Sequence, residues 1–286
     1  MYIFLILLVY YFYYLGVIEK FTHNPTIKID WVIGWISPTQ LSNCNNSNNL
    51  QRVRDNQELK YCLKSIYKYA SWINKIYIIL GNKSLPPSWL KQTDRIVLIP
   101  ETSLYSNIQT NSETKKLYYA NIPNLSEYFI AGDDDYFLGN YLYPSDFFTN
   151  DNMPIINSVH LGWDGKAHIP IAWKKSSYQK ALLNIDNIDF YQNMGCLRKN
   201  PWKEIKKYLI NNKFAIKGRI RKPDIWINDT NNHNITVLLK QIINTKPKFI
   251  CINDDWDTTN HSNYIKQMNE LHHFFTLFYS DKYNFE

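Results

Sequence analysis

The chain has 286 residues, of which 45% are hydrophobic and 20% are charged, so it can bury a core and is not expected to be disordered throughout. The net charge of +7 suits phosphate-bearing ligands, nucleic acids or membrane surfaces. Its basic residues are mostly spread out, and no recognisable nucleic-acid motif accompanies them, so we expect no nucleic-acid partner.

The first 22 residues are predicted to form a membrane anchor. From Tyr2 to Ile18 the sequence carries no charge, and a Glu-Lys pair ends this run. Its length is near the lower limit of about 17–25 residues for a membrane-spanning helix. A cleaved signal peptide and a buried core helix are the alternatives, but a basic leading region and a small-residue cleavage site are both missing. We therefore expect a single-pass signal anchor followed by one catalytic domain, residues 23–286.

Apolar strands and amphipathic helices alternate after the anchor. The helix predicted at Asn56–Tyr69 places Leu59, Cys62 and Ile66 on one face. The residues Thr114–Tyr119 are expected to begin a second helix, which ends before Pro123. Strands are predicted at Lys28–Ile36, Ile73–Leu80, Arg95–Ile99 and Tyr128–Ala131. Because these strands are apolar without alternation, we expect an α/β fold with a mostly parallel, Rossmann-like sheet covered by helices.

The second half of the chain is less regular. A helix is predicted at Trp202–Asn211, a strand at Lys248–Ile252 and an amphipathic helix at Tyr264–Phe278. The four cysteines have neither CxxC nor metal-finger spacing, so two disulfides are possible but none is required.

Two acidic segments follow strands, and they are the main candidates for chemistry. The first is Asp133-Asp134-Asp135, and the second runs from Asn253 to Asp257. In open parallel sheets ligands bind beyond the carboxyl ends of the strands, where carboxylates can hold Mg²⁺ or Mn²⁺ together with phosphate oxygens. Aspartates that only cap turns are the alternative. Three consecutive aspartates repel one another unless a positive group neutralises them.

Four segments of the sequence resemble, in order, the conserved regions of the Stealth family. The central match runs from Glu58 to Gly139 and carries ELKYCLKSIYKYASWINKIYIIL, PSWL, RIVLI and IPNLSEYFIAGDDDYFLG. The others are IDWVIGWIS at Ile29–Ser37, AHIPIAWKKS at Ala167–Ser176 and KFICINDDWD at Lys248–Asp257. Stealth proteins are sugar-phosphate transferases of capsule synthesis, and they include the N-acetylglucosamine-1-phosphotransferase of lysosomal enzymes. The resemblance therefore implies a nucleotide-diphospho-sugar transferase-like fold.

The resemblance implies that hexose-1-phosphate passes from a UDP-sugar, such as UDP-GlcNAc, to a hydroxyl of a glycan or glycoprotein, and that UMP leaves. For the metal we expect Asp134, Asp135 and Asp254, with Asp133 as a secondary ligand. The expected catalytic residues are His168, Asp135 and Arg198, with His168 as the base or orienting group. The expected substrate-binding residues are Asp30, Asn111, Asn253 and Lys116.

Some of these assignments have alternatives. Asp30 contacts the nucleotide or caps the end of its strand, and His168 could instead be a core histidine. For Lys116 we favour an exposed surface charge over a phosphate contact. Lys116 stands where the family has a glutamate, and Ser37 stands where it has an aspartate. These departures keep open a metal-dependent glycosyltransferase that releases UDP, or an inactive glycan-binding relative. In a eukaryote the catalytic domain would face the lumen of the endoplasmic reticulum or Golgi.

Overall fold

The computed structural model describes residues 27–37, 55–81, 84–105, 116–157, 170–184, 201–218, 225–227, 235–252 and 261–286. Among these residues, no helix has the length and apolar character needed to cross a membrane. The predicted anchor at residues 1–22 lies outside the described residues and stays a prediction.

The described residues form ten strands and five α-helices. The strands are β1 (Ile29–Trp35), β2 (Ile76–Leu80), β3 (Ile96–Pro100), β4 (Tyr128–Asp133), β5 (Tyr136–Leu138), β6 (Ile155–Asn157), β7 (Ile171–Lys174), β8 (Ile216–Gly218), β9 (Ile225–Ile227) and β10 (Phe249–Ile252). The helices are α1 (Glu58–Tyr69), α2 (Lys175–Asn184), α3 (Pro201–Asn211), α4 (Ile235–Thr245) and α5 (His261–Phe278).

A five-stranded sheet with the order β3-β2-β1-β4-β7 forms the centre of the molecule. Strands β1 to β4 run parallel, and β7 pairs antiparallel with β4 at one edge. Strand β2 is buried along its whole length, because the sheet is covered on both faces. The prediction of a mostly parallel sheet covered by helices is therefore confirmed.

Different helices cover the two faces of this sheet. On one face, α1 and α5 pack together, and the rings of Tyr61 and Phe275 stack with their centroids 4.6 Å apart. On the other face, α2 and α3 contribute Tyr178, Ala181 and Ile205 to a second apolar cluster. The apolar faces of these helices are buried because they cover apolar strand residues.

The structure adds two details of local structure. The helix expected to end before Pro123 is a short 3₁₀ helix, Leu117–Asn121. Strand β10, predicted at Lys248–Ile252, lies in a separate sheet with the order β5-β10-β9. A four-residue apolar strand carries no information about its partner, so only the tertiary structure shows which sheet it joins.

Candidate functional site

Strand β4 ends in a tight turn that carries three aspartates, Asp133 to Asp135, which we call the acidic turn. Strand β4 ends at Asp133, and β5, which belongs to the smaller sheet, begins at Tyr136. Gly132 precedes the turn, and a Cβ atom there would lie 3.2 Å from Nε1 of Trp31. The turn is therefore packed closely against the buried end of the sheet.

Asp133 forms an ion pair with Lys116, whose Nζ lies 3.0 Å from Oδ2 of Asp133. Lys116 is only 8% exposed. The favoured interpretation of Lys116 as an exposed surface charge is therefore wrong. The ammonium supplies one of the positive charges that three adjacent aspartates require.

Asp134 lies among other carboxylates. Burial raises the pKa of Asp134 well above its usual value, and the charges of Asp135, Glu58 and Asp133 raise it further. Glu58 begins helix α1, where its carboxylate accepts a hydrogen bond from the backbone N–H of Asn56 at 2.8 Å. The environment of Asp134 thus disfavours negative charge unless a cation is present.

Asp135 is held by strand β10. The Cys251 thiol donates a hydrogen bond to Oδ2 of Asp135 over 3.6 Å, and the backbone N–H of Ile252 donates to the Asp135 carbonyl oxygen over 3.2 Å. This contact follows from the antiparallel pairing of β10 with β5, in which Cys251 stands opposite Tyr136. The strand that carries the second acidic segment therefore ends beside the acidic turn, although it belongs to another sheet.

Two groups near the acidic turn, the Cys62 thiol and the Tyr136 hydroxyl, are neutral. Burial raises the pKa of the Cys62 thiol, and the three aspartates raise it further. Burial, followed by the charges of Asp133 and Asp135, likewise raises the pKa of the Tyr136 hydroxyl. Both groups stay protonated at neutral pH, so they add no negative charge of their own to the turn.

The donor set of the acidic turn fits a divalent cation only in part. Among the residues that the structure describes, no group of three or more histidine, cysteine or carboxylate side chains is arranged to hold a metal ion. Asp134 and Asp135 remain as two carboxylates, since Asp133 is paired with Lys116. Mg²⁺ commonly binds one or two carboxylates and completes its shell with water and substrate phosphates. The described residues fit that mode of binding, and not a cage built from protein ligands alone.

Asp30 lies at the opposite end of the sheet. Its carboxylate is fully buried and accepts hydrogen bonds from Nδ2 of Asn74 at 2.8 Å, the backbone N–H of Lys75 at 3.1 Å and that of Ser126 at 2.6 Å. Gly34, four residues further along β1, pairs with Asp133. Asp30 is thus about 13 Å from the acidic turn along the strand. The structure gives Asp30 a capping role and does not place it near the turn as a nucleotide contact.

The predicted site residues divide into three groups. The structure brings Asp133, Asp134, Asp135 and Lys116 together, and it separates Asp30 from them. The remaining candidates lie outside the described residues: His168, Arg198, Asn111, Asn253 and Asp254. Sequence reasoning missed Glu58 and Cys251 as neighbours of the turn. The position of Cys251 just before the second acidic segment was the available signal, whereas nothing local marked Glu58.

The fold and the site define an α/β protein with an acidic turn at the carboxyl end of a parallel strand. Residues 52–156, which include this turn, match the family model described as Stealth protein CR2, conserved region 2. The chain is therefore similar to the Stealth proteins over this conserved region.

Several bacterial proteins named as polysaccharide phosphotransferases are similar to this chain. The exopolysaccharide phosphotransferase cps2G of Lactiplantibacillus plantarum is 29% identical over 64% of this chain and 55% of its own length. The receptor polysaccharide phosphotransferase WefC of Streptococcus oralis is 28% identical over 46% of this chain and 45% of its own length. The exopolysaccharide phosphotransferase CpsY of Mycobacterium leprae is 37% identical over 34% of this chain and 18% of its own length. The chain thus spans about half, or less, of each of these relatives.

One solved structure, the apo-form glycosyltransferase GlyE of Streptococcus pneumoniae, shares 11% identity with the chain at a TM-score of 0.42. The likeness covers 69% of this chain and 46% of that one. It is too low to support an inference about function.

Proposed function

We propose that this protein transfers a sugar 1-phosphate from a nucleotide-sugar donor to a hydroxyl group of a glycan. The acidic turn is the observation that carries the proposal. It concentrates three carboxylates at the carboxyl end of β4, inside the stretch that matches the conserved Stealth region. Ligands of open parallel sheets bind at such strand ends. The names of the bacterial relatives agree with this class of reaction.

The donor that we propose is a UDP-hexose such as UDP-GlcNAc. The oxygen of the acceptor hydroxyl forms a bond to the phosphorus next to the sugar, and the bond from that phosphorus to the oxygen bridging the two phosphates breaks. UMP leaves with the bridging oxygen, and the hydroxyl proton passes to a base. His168 is our candidate for this base, and Arg198 is our candidate for a contact to the transferred phosphate. Asn111 and Asn253 are the proposed polar contacts to the donor.

Mg²⁺ or Mn²⁺ is the proposed cofactor. Its proposed ligands are Asp134 and Asp135, which lie within the described residues, and Asp254 is a third candidate. A bound divalent cation neutralises diphosphate charge and stabilises the negative charge that develops during phosphoryl transfer. The residues around the turn support this assignment. The carboxylates of Asp135, Glu58 and Asp133 surround Asp134 with negative charge, and strand β10 contacts Asp135 through the Cys251 thiol and the backbone N–H of Ile252.

The nucleotide that leaves tests the reaction. Full-length protein is incubated with UDP-GlcNAc, Mn²⁺ and a panel of glycan acceptors, and the released nucleotide is separated by ion-exchange chromatography. We expect UMP in amounts equal to the glycan phosphodiester formed. Release of UDP would instead assign a glycosyltransferase, and donor binding without turnover across all acceptors and metals would assign an inactive relative.

We also propose that residues 1–22 attach the protein to a membrane as a single-pass anchor. The uncharged run from Tyr2 to Ile18 supports this assignment. Carbonate extraction of membranes tests it with the full chain and a variant that lacks residues 1–22. We expect the full chain to stay in the pellet and the shortened chain to move to the supernatant. Equal recovery of both chains in the supernatant would contradict the anchor.

A further inference from the structure

Lys116 is held rigidly beside the acidic turn. Its ammonium contacts Asp133 at 3.0 Å, while its backbone carbonyl accepts a hydrogen bond from the Tyr178 hydroxyl at 3.0 Å. Tyr178 is itself buried and packs edge-to-face against Trp173, with ring centroids 4.9 Å apart. The core therefore fixes the lysine backbone. Because the ammonium is buried, separating it from its carboxylate is unfavourable, so the pair is retained.

The ion pair makes the three aspartates unequal as ligands. A divalent ion bound to Asp133 would lie within a few ångströms of the Lys116 ammonium, and like charges at that distance repel strongly. Asp134 faces the carboxylates of Glu58 and Asp135, whose negative charge attracts a cation. Asp135 is contacted by the Cys251 thiol, a weak and neutral donor that competes little with a metal.

We propose that Lys116 is an internal counter-ion that occupies Asp133 and restricts the acidic turn to a single divalent cation held by Asp134 and Asp135. The inference rests on the proposed function only in assuming that the turn binds such a cation. Lys116 is a positioning residue in this scheme, since it acts through Asp133. The fixed ammonium of Lys116 supplies the positive charge that a second metal ion would otherwise supply at Asp133.

The full chain is titrated with Mn²⁺, and electron paramagnetic resonance measures the concentration of free Mn²⁺. The titration gives the number of Mn²⁺ ions bound per chain. We expect one Mn²⁺ per chain in the unmodified protein. In Lys116→Met, which keeps the length of the side chain but removes its charge, Asp133 becomes available. We expect this variant to bind Mn²⁺ at least tenfold more tightly, or to bind a second ion. Lys116→Arg keeps the charge and should resemble the unmodified protein.

A double substitution shows whether the gain passes through Asp133. In Lys116→Met/Asp133→Asn the tighter binding should disappear, because the released carboxylate is gone. Asp133→Asn alone leaves the Lys116 ammonium unpaired beside the turn, so this variant should bind Mn²⁺ more weakly than the unmodified protein. Thermal melts show which variants are folded. If Lys116→Met does not fold, the unmodified protein still decides, since two Mn²⁺ ions bound per chain would overturn the inference.

The outcomes separate this inference from the proposed function. Folded Lys116→Met that binds Mn²⁺ no more tightly than the unmodified protein, or no binding in either, overturns the counter-ion role. UMP release with unchanged Mn²⁺ binding in Lys116→Met overturns only the counter-ion role. Tighter Mn²⁺ binding in Lys116→Met without nucleotide release from the unmodified protein leaves the counter-ion role standing and contradicts the proposed function.

Discussion

The two ends of the paired strands β1 and β4 carry aspartates in opposite situations. At the amino end, the carboxylate of Asp30 is fully buried and accepts three hydrogen bonds from neighbouring connections. At the carboxyl end, Asp134 is partly exposed and lies among three further carboxylates. An aspartate thus stabilises the folded state at the amino end of the strands, whereas at the carboxyl end charge repulsion makes an aspartate destabilising. Groups that lower stability and are nevertheless packed into a fixed position are candidates for function.

The largest expected effect is on catalysis at the carboxyl end. Asp135→Asn should reduce sugar-phosphate transfer about 1,000-fold, because removing one group that stabilises transition-state charge commonly has an effect of that size. The assay is UMP release at saturating UDP-GlcNAc. The exposed Asp151 provides the matched control, and Asp151→Asn should keep full activity. Transfer by Asp135→Asn within tenfold of the unmodified protein would remove Asp135 from the site.

The largest expected effect on stability lies at the amino end. Asp30→Ala leaves the N–H groups of Asn74, Lys75 and Ser126 without their acceptor in a buried place. Each unsatisfied buried donor costs about 1–3 kcal/mol, so we expect the free energy of unfolding to fall by about 3 kcal/mol or more. Urea denaturation measures this change, and Asp151→Ala is the control for an exposed aspartate. A loss below about 1 kcal/mol would contradict the capping role.

A smaller effect of opposite sign is expected at Asp134. Asp134→Asn removes a negative charge next to Asp135, Glu58 and Asp133, and it should raise the free energy of unfolding by up to about 1 kcal/mol in metal-free buffer. The same change should lower transfer activity, because a proposed metal ligand is lost. Urea denaturation and the nucleotide-release assay give both values. Destabilisation of the metal-free protein by this substitution would show that repulsion does not dominate at the turn.

The smallest effect is expected at Glu286, a carboxylate that resembles Asp30 in having its partners in place. Burial alone would raise the pKa of Glu286, but hydrogen bonds from Lys64, Tyr283 and Lys60 outweigh it and lower the pKa below its usual value. A lowered carboxyl pKa in the folded state contributes stability at neutral pH that is lost as the pH falls through that pKa. Glu286→Gln should therefore cost about 0.5–1 kcal/mol at pH 7.

The pH dependence provides the control for Glu286. The difference between Glu286→Gln and the unmodified protein should shrink to nothing at pH values below the lowered pKa, where the carboxyl is protonated in both folded and unfolded states. The exposed Asp94 serves for comparison, and Asp94→Asn should have little effect at either pH. A cost for Glu286→Gln that does not change with pH would show that the ion pair contributes nothing.

Most of the central fold could be predicted from the sequence because its signals are local. The periodicity of apolar residues predicted α1 from Asn56 to Tyr69, and the observed helix begins two residues later and ends at the same tyrosine. Strand β4 was recognised from its apolar residues and found to extend into the first aspartate of the turn. The helix expected before Pro123 is a 3₁₀ helix, Leu117–Asn121, and the sequence left its type open because hydrophobic spacing alone does not distinguish helix types.

The sequence by itself determined the parallel α/β core and the acidic turn, because each depends on residues close together in the chain. The tertiary structure alone decided what each charged group does. Lys116 donates to Asp133 across 17 positions of the sequence, the backbone N–H of Ser126 donates to Asp30 across 96, and the Cys251 thiol donates to Asp135 across 116. Hydrogen bonds and charge interactions depend on distance in space, so residue identity revealed which groups could bind a cation but not which of them were already paired.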